Sequence, residues 1–139
     1  MKVKINKGDF EDKLRKALYG IGLDVQESLK DKLTREHGKD TGALQSSINF
    51  DITQEGDVWT ISLNMAEQGK YLEYGTPPHM PPVDSLKGWA KRKLGDEKLA
   101  WAVAYSIKRR GTRPFPFIRP TFNNEVTGII NKNLISAFK

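Results

Sequence analysis

The stretch Tyr71-Leu72-Glu73-Tyr74-Gly75-Thr76-Pro77-Pro78-His79-Met80-Pro81-Pro82-Val83 constrains this chain more than any other, because it holds four of the seven prolines. Proline fixes φ and has no N–H, so neither a helix interior nor a central strand can run through the run of prolines. The residue before each proline is also pushed to extended geometry. The sequence therefore predicts a stiff extended segment with two tyrosines as anchors at its entrance. One reading is a rigid connector between two halves of one fold. The sharper reading makes its tip a contact surface, since a pure spacer is usually polar and needs no tyrosines. A glycine between Tyr74 and Thr76-Pro77 suggests a positive φ at Gly75.

The second proline-rich stretch, Thr112-Arg113-Pro114-Phe115-Pro116-Phe117-Ile118-Arg119-Pro120, alternates aromatics with prolines. It must also be extended, with Phe115, Phe117 or Ile118 pinned in the core. Between the two stretches lie two helical patterns. The first starts at Pro82 or Asp84-Ser85, buries Leu86, Trp89, Ala90 and Leu94, and stops at Gly95. The second is capped by Asp96 and runs from Glu97 to Arg110, and Gly111 ends it. Its centre, Leu99 to Tyr105, is apolar on most sides, as in a helix that is sandwiched or lies at an interface. Lys108, Arg109 and Arg110 oppose the negative end of its dipole.

The rest of the chain supplies the core. Phe10, Leu14, Leu18, Ile21, Val25, Leu29 and Leu33 recur every three or four residues, which predicts one long amphipathic helix over about residues 10–36, with Asp9 as N-cap. Gly20 and Gly22 inside it each cost about 1 kcal/mol relative to alanine, so a close packing partner is expected there. His37-Gly38 is its expected end, and residues 3–5 read as a short edge strand. Ile48, Phe50 and Ile52, then Trp59, Ile61, Leu63 and Met65, alternate with polar residues and predict a hairpin over 46–53 and 58–65, its tryptophan face toward the long helix. A final helix opens at Pro120 or Thr121, with Phe122, Val126, Ile129, Ile130, Leu134 and Phe138 on one face. The expected fold is α+β and a single domain over 1–139: a small antiparallel sheet with the N-terminal and C-terminal helices packed on it, and a basic two-helix lobe beside it.

Charge is the second constraint. The chain of 139 residues carries a net +6, and residues 84–119 hold ten cations against three anions, a net +7, so the remainder sums to −1. Such a half-domain suits nucleic acid, an acidic protein or a solvated face. Trp89, Trp101 and Tyr105 lie among these cations, which makes a nucleic-acid-binding module of the 87–119 lobe the alternative reading. Helical core spacing of those aromatics with cations outside is the more economical account. No apolar run approaches a membrane span, and the start is too short and too alternating for a secretory signal. There is no cysteine, which removes disulfides and thiol chemistry and fits synthesis in a reducing cytoplasm.

Chemistry-bearing groups are sparse. His37 and His79 are far apart, and a metal site at His79 would need Glu73 and Asp84, so no metal or cofactor is expected. Glu73, His79 and Asp84 could in principle make an acid–base group, the basis of a weak hydrolase reading, but nothing in the sequence orders them. No G-x-S-x-G context and no phosphate-cradling loop occurs, and the protein is expected not to be an enzyme.

Three motifs in order carry a resemblance: Asp40-Thr41-Gly42-Ala43-Leu44-Gln45-Ser46-Ser47-Ile48 after a long helix, the Tyr71–Val83 stretch followed by Trp89, and Arg110-Gly111-Thr112-Arg113-Pro114 leading into Pro116-Phe117-Ile118-Arg119-Pro120-Thr121-Phe122. Together they resemble the tail-component family of long-tailed bacteriophages, described as tail-completion or neck proteins, over nearly the whole chain. Family members often carry a proline and a basic residue around the D-T-G turn; Gly38-Lys39 and Ala43-Leu44-Gln45 stand here instead. The resemblance implies a non-enzymatic virion protein of a phage or prophage, made in the host cytoplasm and acting in tail completion or head–tail joining. Its implied partners are a tail terminator, tail tube or head connector, with a homo-oligomer in the virion also compatible. Tyr74, Thr76, His79, Met80, Arg110, Arg113 and Arg119 are the candidate partner-binding residues.

Overall fold

The computed structural model describes residues 7–37 and 42–139. The expected strand at 3–5, the Gly38 helix stop and the first part of the D-T-G turn lie outside these. The elements in order are helix α1 (Lys7–Lys32), which continues as a π turn over Leu33–His37, α2 (Ala43–Ser47), β1 (Asn49–Glu55), β2 (Val58–Asn64), α3 (Gln68–Tyr74), α4 (Val83–Leu94), a 3₁₀ turn (Glu97–Leu99), α5 (Ala100–Arg110), α6 (Ile118–Asn124) and α7 (Val126–Ala137). The fold is α+β, with one two-stranded antiparallel sheet among the described residues.

Helix α1 is the spine. Ile21, Val25, Leu29 and Leu33 fall one turn apart and are all buried, and with Ile48 and Phe117 they form the main core. The hairpin and α7 both pack along α1. The two glycines in α1 mark where neighbours come closest. A Cβ on Gly22 would run into the Phe50 ring of β1, and one on Gly20 would collide with the side chain of Asn133 in α7. Asn133 also donates to Asp24 at 2.9 Å, fixing α7 against the same turn. The helix is already formed at Lys7, the first described residue, so Asp9 is not its cap. It sits in the first turn, where a carboxylate suits the dipole, and pairs with Lys13 at 3.5 Å.

The hairpin keeps the expected face but shifts at its start. Ser46 and Ser47 belong to the single turn α2, entered through Gly42 at φ 80°. Ser47 Oγ donates to the Leu44 carbonyl and accepts from the Ala66 N–H, which ties this turn to the end of β2. Pairing runs from Asn49↔Asn64 to Glu55↔Val58 around a two-residue Gly56-Asp57 turn. Trp59, Ile61 and Leu63 point inward and Thr60 and Ser62 outward, so the period-two register is the observed one. Trp59 is half-buried rather than core, at the outer end of α1, with the Arg15 guanidinium 5.6 Å from its ring centroid.

Tyr71 and Tyr74 depart from expectation. They lie on helix α3, not on extended chain, and both are exposed. Helix α3 is anchored instead by Leu72, Gly69 and Glu73. The chain turns extended only at Gly75, as the prolines require.

Helices α4 and α5 and the 3₁₀ turn pack on one another through Ala90, Ala100 and Ala104. Neither helix contributes to the main core. Asp96 caps the 3₁₀ turn by accepting from the Lys98 N–H at 2.9 Å. Only alanines are fully buried here; Leu94 and Leu99 are exposed, and Trp101 and Tyr105 are 52% and 51% exposed. The core account of these two aromatics therefore fails: α5 is not sandwiched, and its aromatic edge faces outward. The expected final helix is two. It starts at Ile118, so Ile118-Arg119-Pro120, expected to be extended, is helical, with Pro120 in the first turn where no N–H is needed; it breaks at Glu125, whose carboxylate pairs with Lys32 at 3.2 Å. Phe122 and Phe138, expected on its buried face, are exposed, and Phe138 packs on Phe10 with ring centroids 5.4 Å apart.

Candidate functional site

The two proline-rich stretches meet. Thr76 and Thr112 form an isolated antiparallel bridge, with N–H to carbonyl distances of 3.2 and 3.0 Å and hydroxyls 2.8 Å apart. The residue before each threonine is a glycine with positive φ: 71° at Gly75 and 70° at Gly111. Both have extended ψ, a combination open essentially to glycine alone. A Cβ at Gly75 would sit 2.5 Å from the Thr112 carbonyl oxygen, and one at Gly111 would run into that of Thr76. The positive φ predicted at Gly75 thus has a direct cause in the crossing of two backbones. Two further bonds extend the seam: the His79 N–H to the Ile107 carbonyl at 3.3 Å, and the Phe115 N–H to the Leu72 carbonyl at 2.7 Å.

Behind the seam sits Glu73, 1% exposed. Its Oε2 accepts from the N–H groups of Phe117 and Ile118 at 2.7 and 2.8 Å, and its Oε1 from the N–H and Nε–H of Arg119, both at 3.0 Å. These are the free N–H groups of the first turn of α6, which has no side-chain cap of its own. A carboxylate from 44 positions upstream serves as the cap. Burial pushes the Glu73 carboxyl up and is the largest single influence; the donors on Arg119, Ile118 and Phe117 together outweigh it, so the group is held below the ordinary carboxylate value. All four acceptor positions of the carboxylate are filled. It has no lone pair left for a base, and the weak hydrolase reading loses its central residue.

The sequence-predicted contact residues divide accordingly. Arg119, 53% exposed, is tied to Glu73 through Nε and to the Glu73 carbonyl through Nη2 at 3.3 Å, and its guanidinium lies 5.1 Å from the Tyr74 ring centroid. Arg119 and Tyr74 thus form a stacked pair beside the seam. Thr76 is in the bridge. His79 Nδ1 lies 2.9 Å from the Pro77 carbonyl; a carbonyl only accepts, so Nδ1 carries the proton. Met80, Arg110 and Arg113 are exposed, and among the described residues Arg110 and Arg113 form no ion pair.

A groove of about 710 Å³ lies along the seam, lined by α3, the Thr76–His79 segment, Ile107 near the end of α5, and Thr112-Arg113. Tyr71, Leu72, Pro77 and Ile107 give it apolar walls, and His79 and Arg113 stand among its polar lining residues. Sequence reasoning missed the groove because its walls come from segments about 36 positions apart. The available signal was the paired Gly-Thr at 75–76 and 111–112, each leading within a few residues into proline. Among the described residues no cluster of three His, Asp or Glu could hold a metal ion, and no helix is long and apolar enough to cross a membrane. Comparison with known proteins yields no matching family model, no matching curated protein and no matching solved structure.

Proposed function

We propose that this chain is a non-enzymatic structural protein of a tailed phage or prophage that acts in tail completion or head–tail joining. The reading starts from the order of the three motifs. The observation that supports it most is that two of them fold into one rigid, exposed surface around the Thr76–Thr112 bridge. A rigid surface loses little conformational entropy on docking, which suits a part that binds only on assembly. The buried Glu73 cap spends the most conspicuous carboxylate on holding that surface in shape. Its partner-facing tips are His79, Met80, Arg110 and Arg113, with Tyr74 and Arg119 at the side.

The test is the double variant His79→Ala with Arg113→Glu. Both residues are exposed, so the purified variant should melt within about 0.5 kcal/mol of wild type. In an infected-cell lysate viewed by electron microscopy, heads and tails should remain unjoined or tails malformed, with infectious particles lost. Normal virions would defeat the reading.

One observation favours a second reading, a nucleic-acid-binding module. Trp101 and Tyr105 stack at 6.2 Å on the open side of α5, a helix that also carries Lys108 and Arg109. Exposed aromatics among cations suit single strands.

A further inference from the structure

We propose that the groove beside the Thr76–Thr112 bridge receives the β1–β2 hairpin tip of a second copy of this chain, with Val58 against its apolar walls and Glu55 or Asp57 against Arg113. The inference rests on the preceding reading of this surface as a partner surface, and it names the partner.

The tip has the chemistry the groove lacks. Glu55 and Val58 are a cross-strand pair, so both project from the same, outward face of the hairpin. Val58 is 65% exposed, and the outward positions behind it on β2, Thr60 and Ser62, are polar. It is thus a lone apolar side chain flanked by Glu55 and Asp57, neither of which has an ion pair among the described residues. Nothing in the fold needs an apolar residue there.

The groove is the complement. Its walls are Leu72, Pro77, Ile107 and the ring of Tyr71, and none of its lining residues is acidic. Arg113 is exposed, and its planar fork suits a carboxylate. Glu67 accepts from the Tyr71 hydroxyl at 3.1 Å, so the Tyr71 wall already has an anion beside it, and Arg113 is the groove's one cationic lining residue for an incoming carboxylate. The segment 84–119 around it is strongly cationic. A nucleic-acid backbone needs a row of cations, whereas the groove lining offers one cation beside apolar walls. Both partners are preorganised, the tip by a two-residue turn and the groove by the bridge, so little order must be created on contact.

Tip and groove are different surfaces, so the contact is head-to-tail, and repeating it adds copies until a ring closes or a chain grows. Within one chain the hairpin packs against α1, and none of its residues lines the groove.

Sedimentation velocity of the full chain over a concentration series tests this. Wild type should self-associate. Arg113→Glu and Glu55→Arg/Asp57→Arg should each raise the concentration for half-association about tenfold or more, since like charges are then brought together. Val58→Ser should weaken association with an unchanged melt. Combining Arg113→Glu with Glu55→Arg/Asp57→Arg should restore association toward wild type, which a merely damaged fold would not do. A wild type that stays monomeric, or a combined variant no better than its parents, overturns the contact. If the wild type is monomeric while His79→Ala/Arg113→Glu still blocks virion assembly, the surface serves a different protein and only this inference falls.

Discussion

Removing the Glu73 carboxylate should be the costliest single side-chain change around the Thr76–Thr112 bridge, because the group is buried and fully hydrogen-bonded. Glu73→Ala leaves the N–H groups of Phe117, Ile118 and Arg119 without their acceptor. A buried donor left unpaired costs about 1–3 kcal/mol. The Phe117 bond is buried and the other two are partly buried, so water admitted into the vacated space recovers part of the loss. Arg119 is more than half exposed and is rehydrated cheaply. We expect a loss of about 3–5 kcal/mol, the size seen when one partner of a buried charged contact is deleted. That is a large part of the stability of a typical domain, about 5–15 kcal/mol. Glu73→Gln guards against outright unfolding. Its oxygen can still accept from Phe117 and Ile118, but its NH₂ then faces the Arg119 donors, and about 2 kcal/mol should go with the lost charge-assisted bonds. Urea unfolding followed by circular dichroism reads both. The pH dependence adds a second signature. The folded carboxyl titrates below its ordinary value of 4.5. Its contribution is therefore complete above that value and is lost as pH falls through the lower, folded value. Wild type should lose more stability below pH 4.5 than Glu73→Gln does. A Glu73→Ala midpoint within about 0.5 kcal/mol of wild type, the range of a surface change, would refute the assignment of Glu73 as the cap of α6.

Gly75→Ala and Gly111→Ala should each destabilise by about 2 kcal/mol or more, from the glycine-only backbone region plus a carbonyl contact; a neutral or stabilising melt would deny the crossing. Trp59→Ala should cost about 1–3 kcal/mol, below the 3–5 of a fully buried tryptophan, and an unchanged denaturant midpoint would sink the hairpin register. Single-stranded DNA should bind only weakly and release near physiological salt, as phosphate contacts do. Tight binding at that salt, lost on Lys91→Glu with Arg109→Glu, would favour the nucleic-acid reading instead.

What could be read in the sequence follows the range of the forces involved. Alternation of Trp59, Ile61 and Leu63 with Thr60 and Ser62 states a local rule, and the strand obeys it. Proline and glycine act on their own residue and its neighbour, so the non-helical chain over 75–82 and 111–117, the Gly95 and Gly111 stops and the φ of Gly75 were legible; the extension expected over Ile118–Pro120 fails because proline is tolerated in the first turn of a helix, and α6 starts there. Tyr71 and Tyr74 lie beyond the reach of the proline constraint, which acts on each proline and the residue before it, so helix α3 can run to Tyr74 with Gly75 separating it from Thr76-Pro77. Trp101, Phe122 and Phe138 sit at core spacing yet face outward, because periodicity gives a face and not the presence of something to cover it. The Glu73 cap was invisible for the opposite reason: its bonds are local to α6 but the acceptor comes from α3. Likewise the groove exists only once both stretches have met.

The Thr76–Thr112 bridge also divides the molecule by route. Everything between those residues, including α4, the 3₁₀ turn and α5, leaves the body of the protein and returns to it at one point, and buries its own small alanine cluster on the way. The main core draws no residue from that excursion. The lobe is therefore built as an insertion whose two ends, at Thr76 and Thr112, lie hydrogen-bonded side by side. Such a design lets the charge, length or even identity of the excursion change while α1, the hairpin and α6–α7 keep their packing.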